Sequence, residues 1–331
     1  MKTPLAIETF DLTKSYGKIL ALDRLNLKIE YGEVFGLLGP NGAGKTTAIS
    51  MLCTIVAPTS GSALVNGFDI IRQSNKVRKS IGIVFQDPSI DDRLTGRENM
   101  KLHATLYDIP VSAAGKRIND LLELVGLSDR ADSPMKTYSG GMRRRLELAR
   151  GLLHNPKVLF LDEPTLGLDP QTRQLLWDHI EQLARQEKIT VILTTHYMEE
   201  AERLCTRVGI IDFGRIKVVD TPSSLIGSLK GDVVTVVTGQ PQEFVLKMKN
   251  LNIAYGVEAT DSKVRLNLSE AEKMVPLIIE TAAAENIEVK SVSIHKPTLN
   301  DVFLHYTGRE IRDEEVENPM ISHMRTISRM R

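Results

Sequence analysis

The sequence predicts an α/β protein: a parallel sheet covered by helices on both faces, interrupted by a helical insert and followed by a small α+β domain of ferredoxin-like type. Three observations carry this. A glycine-rich loop lies between an apolar strand, Val34–Leu38, and a helix that begins at Lys45. From residue 142 to residue 212, helix-period and strand-period segments take turns, the pattern of strands joined by crossover helices. From residue 232 to residue 294 the periodicities follow the order β-α-β-β-α-β.

In chain order, residues 7–12 alternate as a strand, 19–29 are strand-like, and 94–127 carry apolar residues at helical spacing. The second alternation comprises helix 142–154, strand 158–161, helix 171–186, strand 190–194, helix 198–204 and strand 207–212. Beyond the Thr221-Pro222 step come strand 232–237, helix 243–249, strands 253–259 and 263–268, helix 270–285 and strand 287–294. A length of 331 residues suits one large and one small folded unit. We place the larger over residues 1–221, with its helical subdomain at about 92–150, the smaller over 222–308, and a flexible, charged tail over 309–331.

Composition narrows the function. Lys plus Arg equals Asp plus Glu, 42 of each, so the basic footprint of a nucleic-acid binder is missing and no nucleic-acid partner is expected. The two cysteines, Cys53 and Cys205, form neither a CxxC pair nor a zinc pattern, which fits a reducing cytoplasm. The longest apolar runs are strand-sized, far short of the ~20 residues that span a bilayer, and the N-terminus lacks a signal-peptide layout. We therefore expect no membrane span and no cleaved leader.

The loop Gly39-Pro40-Asn41-Gly42-Ala43-Gly44-Lys45-Thr46 satisfies GxxxxGK[ST] in a strand-loop-helix setting. Its glycines let backbone N–H groups curl around a triphosphate, and the helix N-terminus adds partial positive charge. Lys45 can reach the β- and γ-phosphates, and Thr46 can ligate Mg²⁺. A random chain of this length matches the pattern on the order of once in a hundred. ATP and Mg²⁺ are the expected cofactors.

The strand over 158–161 ends in Asp162-Glu163, where α/β sheets place their ligands. Phosphoryl transfer needs a metal ligand and a group to polarise the attacking water; Asp162 supplies the first and Glu163 the second. The next strand end delivers His196. A lone histidine is more often structural, but this position lets its imidazole contact a γ-phosphate. Tyr138-Ser139-Gly140-Gly141 opens a helix whose Met142, Leu146, Ala149 and Leu153 share one face, and Ser139, Gly140 and Gly141 form a second anion cradle. The basic run Arg143-Arg144-Arg145 reads as a solvated face that adds positive potential beside it.

The ordered set of the phosphate loop, Gln86, Ser139-Gly140-Gly141, the acidic strand end, Leu168-Asp169 and His196 resembles the nucleotide-binding domain of ABC transporters over about residues 5–220. The resemblance implies a P-loop NTPase of ABC type, with a mixed sheet core plus helical subdomain. It implies a head-to-tail dimer in which the Ser-Gly-Gly element of one copy closes over ATP on the other, so two cradles serve one nucleotide. It makes Gln86 the residue that senses Mg²⁺ and attacking water while contacting the membrane partner, and Asp169 the cross-dimer communicator. Tyr16 matches the aromatic that stacks on adenine, or else packs at a strand edge, and Thr47 matches a phosphate contact. The catalytic set is then Glu163, His196, Lys45 and Gln86, and the metal set Thr46, Gln86 and Asp162.

Where the family's commonest signature reads Leu-Ser-Gly-Gly-Gln, this chain has Tyr138 first and Met142 last, and a Met cannot hydrogen-bond as Gln does. The variant is similar to the daunorubicin-resistance branch of the family, as is the segment Pro297-Thr298-Leu299-Asn300-Asp301-Val302-Phe303-Leu304, where Asn300 replaces an Asp without losing a helix cap. That branch implies ATP hydrolysis coupled to export of a drug-like or amphipathic compound through a separate permease of ABC-2 type, with two ATPase copies at the cytoplasmic face of the membrane. The insert over 94–127 and the loop around Gln86 form the implied docking surface. A soluble ABC ATPase acting on ribosome or nucleic acid, and a regulatory subunit without turnover, are the alternatives; intact Lys45, Glu163 and His196 speak against the latter. The residues do not name the cargo.

Overall fold

The computed structural model describes residues 5–87, 89–251 and 253–308; the tail expected over 309–331 lies outside them. The described chain forms two compact units that divide between Val219 and Asp220.

The first unit opens with an antiparallel sheet. Strand β1 (Leu5–Tyr16) pairs with β2 (Ile19–Leu25) across the two residues Gly17 and Lys18, and its other end pairs with β3 (Lys28–Glu30). A two-residue connection can only reverse the chain, which is why this part of the fold is antiparallel although the later alternation predicts parallel strands. Next, β4 (Val34–Leu38) runs into the glycine loop and α1 (Lys45–Leu52). The chain returns through β5 (Ser60–Val65) and β6 (Phe68–Asp69) to complete the order β2-β1-β5-β6.

After α2 (Ser74–Ser80), β7 (Ile81–Val84) enters a second sheet, and the helical insert follows as α3 (Gly96–Leu106) and α4 (Val111–Leu124). A capping box between Thr95 and Glu98 starts α3 by satisfying orphan N–H groups from both ends. Then come α5 (Gly140–Leu152), β8 (Val158–Asp162), α6 (Pro170–Glu187), β9 (Thr190–Thr195), α7 (Met198–Leu204), β10 (Arg207–Asp212) and β11 (Arg215–Asp220). The second sheet has the order β11-β10-β4-β9-β8-β7, with β10, β4, β9, β8 and β7 mutually parallel. Their carboxyl ends therefore share one edge.

Helix α1 is wedged between the two sheets. Its Ala48, Ile49, Met51 and Leu52 join Ile7, Leu22 and Val65 of the antiparallel sheet and Phe35 and Phe160 of the parallel one in a single core. Burying each large side chain contributes about 1.5–3 kcal/mol, so the phosphate loop rests on a rigid helix start.

The second unit comprises α8 (Pro222–Ser228), β12 (Asp232–Thr238), α9 (Pro241–Leu251), β13 (Gly256–Thr260), β14 (Lys263–Leu268), α10 (Ala271–Ala284), β15 (Val289–His295) and α11 (Leu299–Thr307). Its antiparallel sheet, ordered β13-β14-β12-β15, is the ferredoxin-like arrangement. Val234, Val236, Val264 and Leu266 pack on Phe244, Met248, Ile278 and Ala282 of the covering helices. Helix α11 extends beyond the expected order. Asp301 caps it by accepting from the Thr298 N–H at 2.9 Å, and also meets His295 Nε2 at 3.1 Å. Asn300 has no part in that cap, so an amide there leaves it intact.

Candidate functional site

Adjacent strands β4, β9, β8 and β7 deliver, from one edge, the phosphate loop, His196, Asp162 with Glu163, and Gln86. The loop can turn only because of its glycines. Gly44 has φ 105°, and a Cβ there would lie 2.6 Å from the Ala21 carbonyl oxygen, so any side chain is excluded twice.

Lys45 is 4% exposed, and its ammonium donates to the carbonyls of Gly39 at 2.7 Å and Pro40 at 3.2 Å. It also lies 3.1 Å from Glu163 Oε1. On the other carboxylate oxygen, His196 Nδ1 stands at 3.3 Å, near but off hydrogen-bond alignment. Burial pushes the Glu163 carboxyl up, yet His196 and Lys45 outweigh it and hold it below the ordinary glutamate value. Glu163 is thus a buried, ionised base at neutral pH.

Asp162 accepts from Thr194 Oγ1 at 2.5 Å and from Thr46 Oγ1 at 3.3 Å. Burial raises its carboxyl, the two hydroxyls and Lys45 pull it down, Glu163 pushes it up, and the balance lies above the ordinary aspartate value. The Thr46 hydroxyl and Asp162 carboxylate are hard oxygen donors on neighbouring positions, the set that Mg²⁺ accepts while keeping phosphate and water ligands. Among the described residues no group of three or more His, Cys, Asp or Glu gathers to hold a metal unaided. A divalent ion here would complete its shell from a nucleotide.

The remaining expected residues stand apart. Tyr16 ends β1 with its hydroxyl beside Thr47, and Lys14 Nζ lies 5.0 Å from its ring centroid. Gln86 is exposed just past β7, and among the described residues no hydrogen bond ties it to Thr46, Asp162, Glu163 or His196. Asp169 is exposed and serves as the N-cap of α6, accepting from the Thr172 N–H at 3.0 Å and the Thr172 hydroxyl at 2.6 Å. Ser139 and Gly140 are exposed at the start of α5, where Ser139 Oγ accepts from the Met142 N–H at 3.3 Å. Gly141 is buried; a Cβ on it would meet Thr172 Cγ2 at 2.2 Å. Among the described residues no hydrogen bond or ion pair joins Ser139, Gly140 or Gly141 to residues 39–47.

Tyr138, in place of the usual Leu, is 5% exposed and donates its hydroxyl to the Arg130 carbonyl at 2.7 Å, pinning the turn to the helical insert. The basic run is not the solvated face its sequence suggests. Arg143 pairs with Asp92 at 2.7 Å, Arg145 donates to the Val125 carbonyl at 2.8 Å, and Arg144 is buried against the strand end that carries Glu163. Sequence reasoning also passed over Thr194, which accepts from the Glu163 N–H at 3.0 Å while donating to Asp162. It looked like one more β-branched residue of a buried strand. Glu200 was missed too: wholly buried, it accepts from the Thr165 hydroxyl at 2.9 Å and Trp177 Nε1 at 3.0 Å, so it braces the segment between Glu163 and Asp169.

Residues 22–166 match the family model described as ABC transporter, and residues 221–307 the model described as ATP-binding protein DrrA1-3-like, C-terminal domain. The chain is 37% identical to the linearmycin resistance ATP-binding protein LnrL of Bacillus subtilis over 93% of its own length and 100% of that protein's. It is 39% identical to the daunorubicin resistance ATP-binding protein DrrA2 of Streptomyces coeruleorubidus, covering 94% and 98%. It is also 39% identical to the Nod factor export ATP-binding protein I of Ralstonia nicotianae, covering 91% and 94%. Among solved structures it resembles cbiO1 of Clostridium perfringens, part of the ABC transporter complex cbiONQ, with TM-score 0.64, 28% identity, and 75% and 97% of the two chains covered. The dimeric, post-hydrolysis ATP-binding cassette MJ0796 with ADP and Pi superimposes with TM-score 0.59 and 26% identity over 65% and 98%.

Proposed function

The chain belongs to the ABC transporter ATP-binding family, with the C-terminal domain of its drug-resistance members, and we propose that it hydrolyses MgATP to drive export through a separate ABC-2 type permease. The observation that carries the reading is the convergence of Lys45 and His196 on Glu163, next to the Asp162–Thr46 pair, at the shared edge of the parallel sheet. Lys45 and the loop N–H groups bind the phosphates. Thr46 and Asp162 would hold Mg²⁺, which when bound would neutralise phosphate charge. Glu163, ionised and aimed by its neighbours, orients and polarises the attacking water. His196 contacts the γ-phosphate, and a phosphate there competes with Glu163 for Lys45.

Ser139, Gly140 and Gly141 serve a nucleotide held by a second copy. The exposure of Ser139 and Gly140, and the lack of a tie from the turn to its own phosphate loop among the described residues, support that assignment, as does the dimeric cassette with which the fold superimposes. Tyr16 stacks on adenine, Thr47 contacts phosphate, Asp169 communicates across the dimer, and Gln86 with the insert over 94–127 meets the permease. Among the described residues no helix is long and apolar enough to cross a membrane, so the membrane path falls to that partner.

Glu163→Gln tests the core of this. The variant is expected to keep ATP binding, accumulate as an ATP-bound dimer, and lose ~10²–10⁴ in turnover. Hydrolysis by it at the wild-type rate would remove Glu163 from the mechanism. Isolation of the chain from its native membrane with a partner that has no membrane spans would sink the transport reading.

A further inference from the structure

We propose that Arg144 is a positioning residue that locks Glu163 to the loop carrying Gln86. Its guanidinium has five N–H donors, and all five are used. Nε donates to the Pro164 carbonyl at 2.7 Å, and Nη2 to the carbonyls of Asp162 at 3.0 Å and Glu163 at 3.2 Å. Nη1 donates to the Phe85 carbonyl and to Glu147 Oε2 at 3.0 Å. Three of these acceptors are consecutive carbonyls around the acidic pair, and a fourth directly precedes Gln86. Glu147, 1% exposed, fixes the guanidinium and with its other oxygen accepts from the Ser89 N–H at 2.8 Å, on the far side of the same loop.

The backbone shows what is being held. Glu163 has φ 46°, a left-handed conformation that a non-glycine residue keeps only when its surroundings impose it. The Arg144 fork gathers the carbonyls before, at and after that residue, while Thr194 takes its N–H. Together they turn the carboxylate toward Lys45 and His196. Because the same fork grips the Phe85 carbonyl, a displacement of Phe85 shifts the peptide that aims Glu163. Arg144 also sits on α5, whose N-cap is Ser139, so the residue that joins the loop and the carboxylate belongs to the helix that the serine-glycine turn opens. A lysine offers three donors on a mobile ammonium and cannot reproduce a five-bond planar fork.

This rests on the reading of Glu163 as the water-polarising base, and the experiment separates the two. Steady-state MgATP hydrolysis, nucleotide binding and thermal unfolding are measured on the full chain for wild type, Arg144→Lys, and the double variant Arg144→Met/Glu147→Met. The double variant removes both buried charges together, so that neither is left unpaired. Arg144→Lys is expected to lower kcat by roughly 10- to 100-fold with KM within about twofold, since displaced groups lose rate rather than affinity. The double variant is expected to unfold at a lower temperature, because the Phe85, Asp162, Glu163 and Pro164 carbonyls lose a donor, yet to keep wild-type nucleotide affinity while kcat stays depressed. Wild-type kcat in either variant overturns the proposal, and so does a loss of kcat in Arg144→Lys that merely tracks lost folding and binding. Failure of the underlying reading would appear elsewhere, as full turnover by Glu163→Gln with Arg144→Lys still impaired.

Discussion

The two glycine-bearing cradles of this chain are built from the same parts and finished differently. Both place small residues at a helix N-terminus. In the phosphate loop the reactive side chains turn inward, with Lys45 at 4% exposure on two carbonyls and a carboxylate of its own chain. In the serine-glycine turn Ser139 and Gly140 face outward, while Tyr138, Gly141 and Arg144 anchor the turn from behind. The loop is completed by its own sheet, whereas the turn is held rigid and presented. A helix start that exposes Ser139 and Gly140 and, among the described residues, makes no hydrogen bond or ion pair to its own phosphate loop fits the proposed role toward a nucleotide held by another molecule.

The largest expected effect attacks the presented half. Ser139→Arg should leave ATP binding by the loop intact yet cost on the order of 10²–10³ in turnover, the scale of losing a preorganised donor to developing charge. Mixing it with Glu163→Gln should restore about a quarter of wild-type activity, because half of the dimers are mixed and each then owns one intact composite site. No recovery on mixing, or full activity of Ser139→Arg alone, would break the comparison.

Thr194→Val probes the inward half. It removes the acceptor of the Glu163 N–H and a donor to Asp162, so turnover should fall roughly 10- to 100-fold with KM for MgATP raised through the disturbed Asp162. An unchanged rate would mean that the strand end is self-supporting. Gly141→Ala tests the anchoring of the turn: its methyl would meet Thr172 Cγ2, an overpacking cost of about 1–3 kcal/mol visible in thermal unfolding. Wild-type stability there would show the turn free to shift.

The smallest effect separates the halves by pH. The helix carrying the turn packs near His103, whose ring is pushed down to about 4 from 6.5 by burial first and by Arg150 and His154 next. Between these values the unfolded chain binds a proton that the folded chain refuses, so stability rises with pH from about 4 to about 6.5 and levels off above. The Glu163 carboxyl, by contrast, is held below the ordinary glutamate value by His196 and Lys45 despite burial. Acid should therefore lower the unfolding temperature, with the insert contributing through His103 alongside the similarly depressed His154 and His179. His103→Phe should flatten that slope, since the buried Nε2 has no hydrogen bond to lose. An identical slope in the variant would relocate the effect.

Much of this was legible in one dimension. The β4-loop-α1 setting, Asp162-Glu163 at a strand end and the ferredoxin-like order all follow from consecutive residues, because glycine conformation, period and capping are local properties. The antiparallel first sheet was less legible, since strand period does not state direction. The basic run misled for a similar reason: Arg143, Arg144 and Arg145 look alike in sequence, but Arg144 turns into the sheet edge and the others do not.

By itself, then, the sequence determined that this chain has a phosphate loop, an acidic pair and a serine-glycine turn, in the order of one ATPase family. Only the tertiary structure decided that β9 lies between β4 and β8, so that Lys45 and His196 reach opposite oxygens of Glu163, at 3.1 and 3.3 Å. It also decided that Arg144 satisfies all its donors beneath them. Local rules assign conformation and face along the chain. Which carbonyls converge on one guanidinium depends on strand order and crossover packing, which no short window of residues contains.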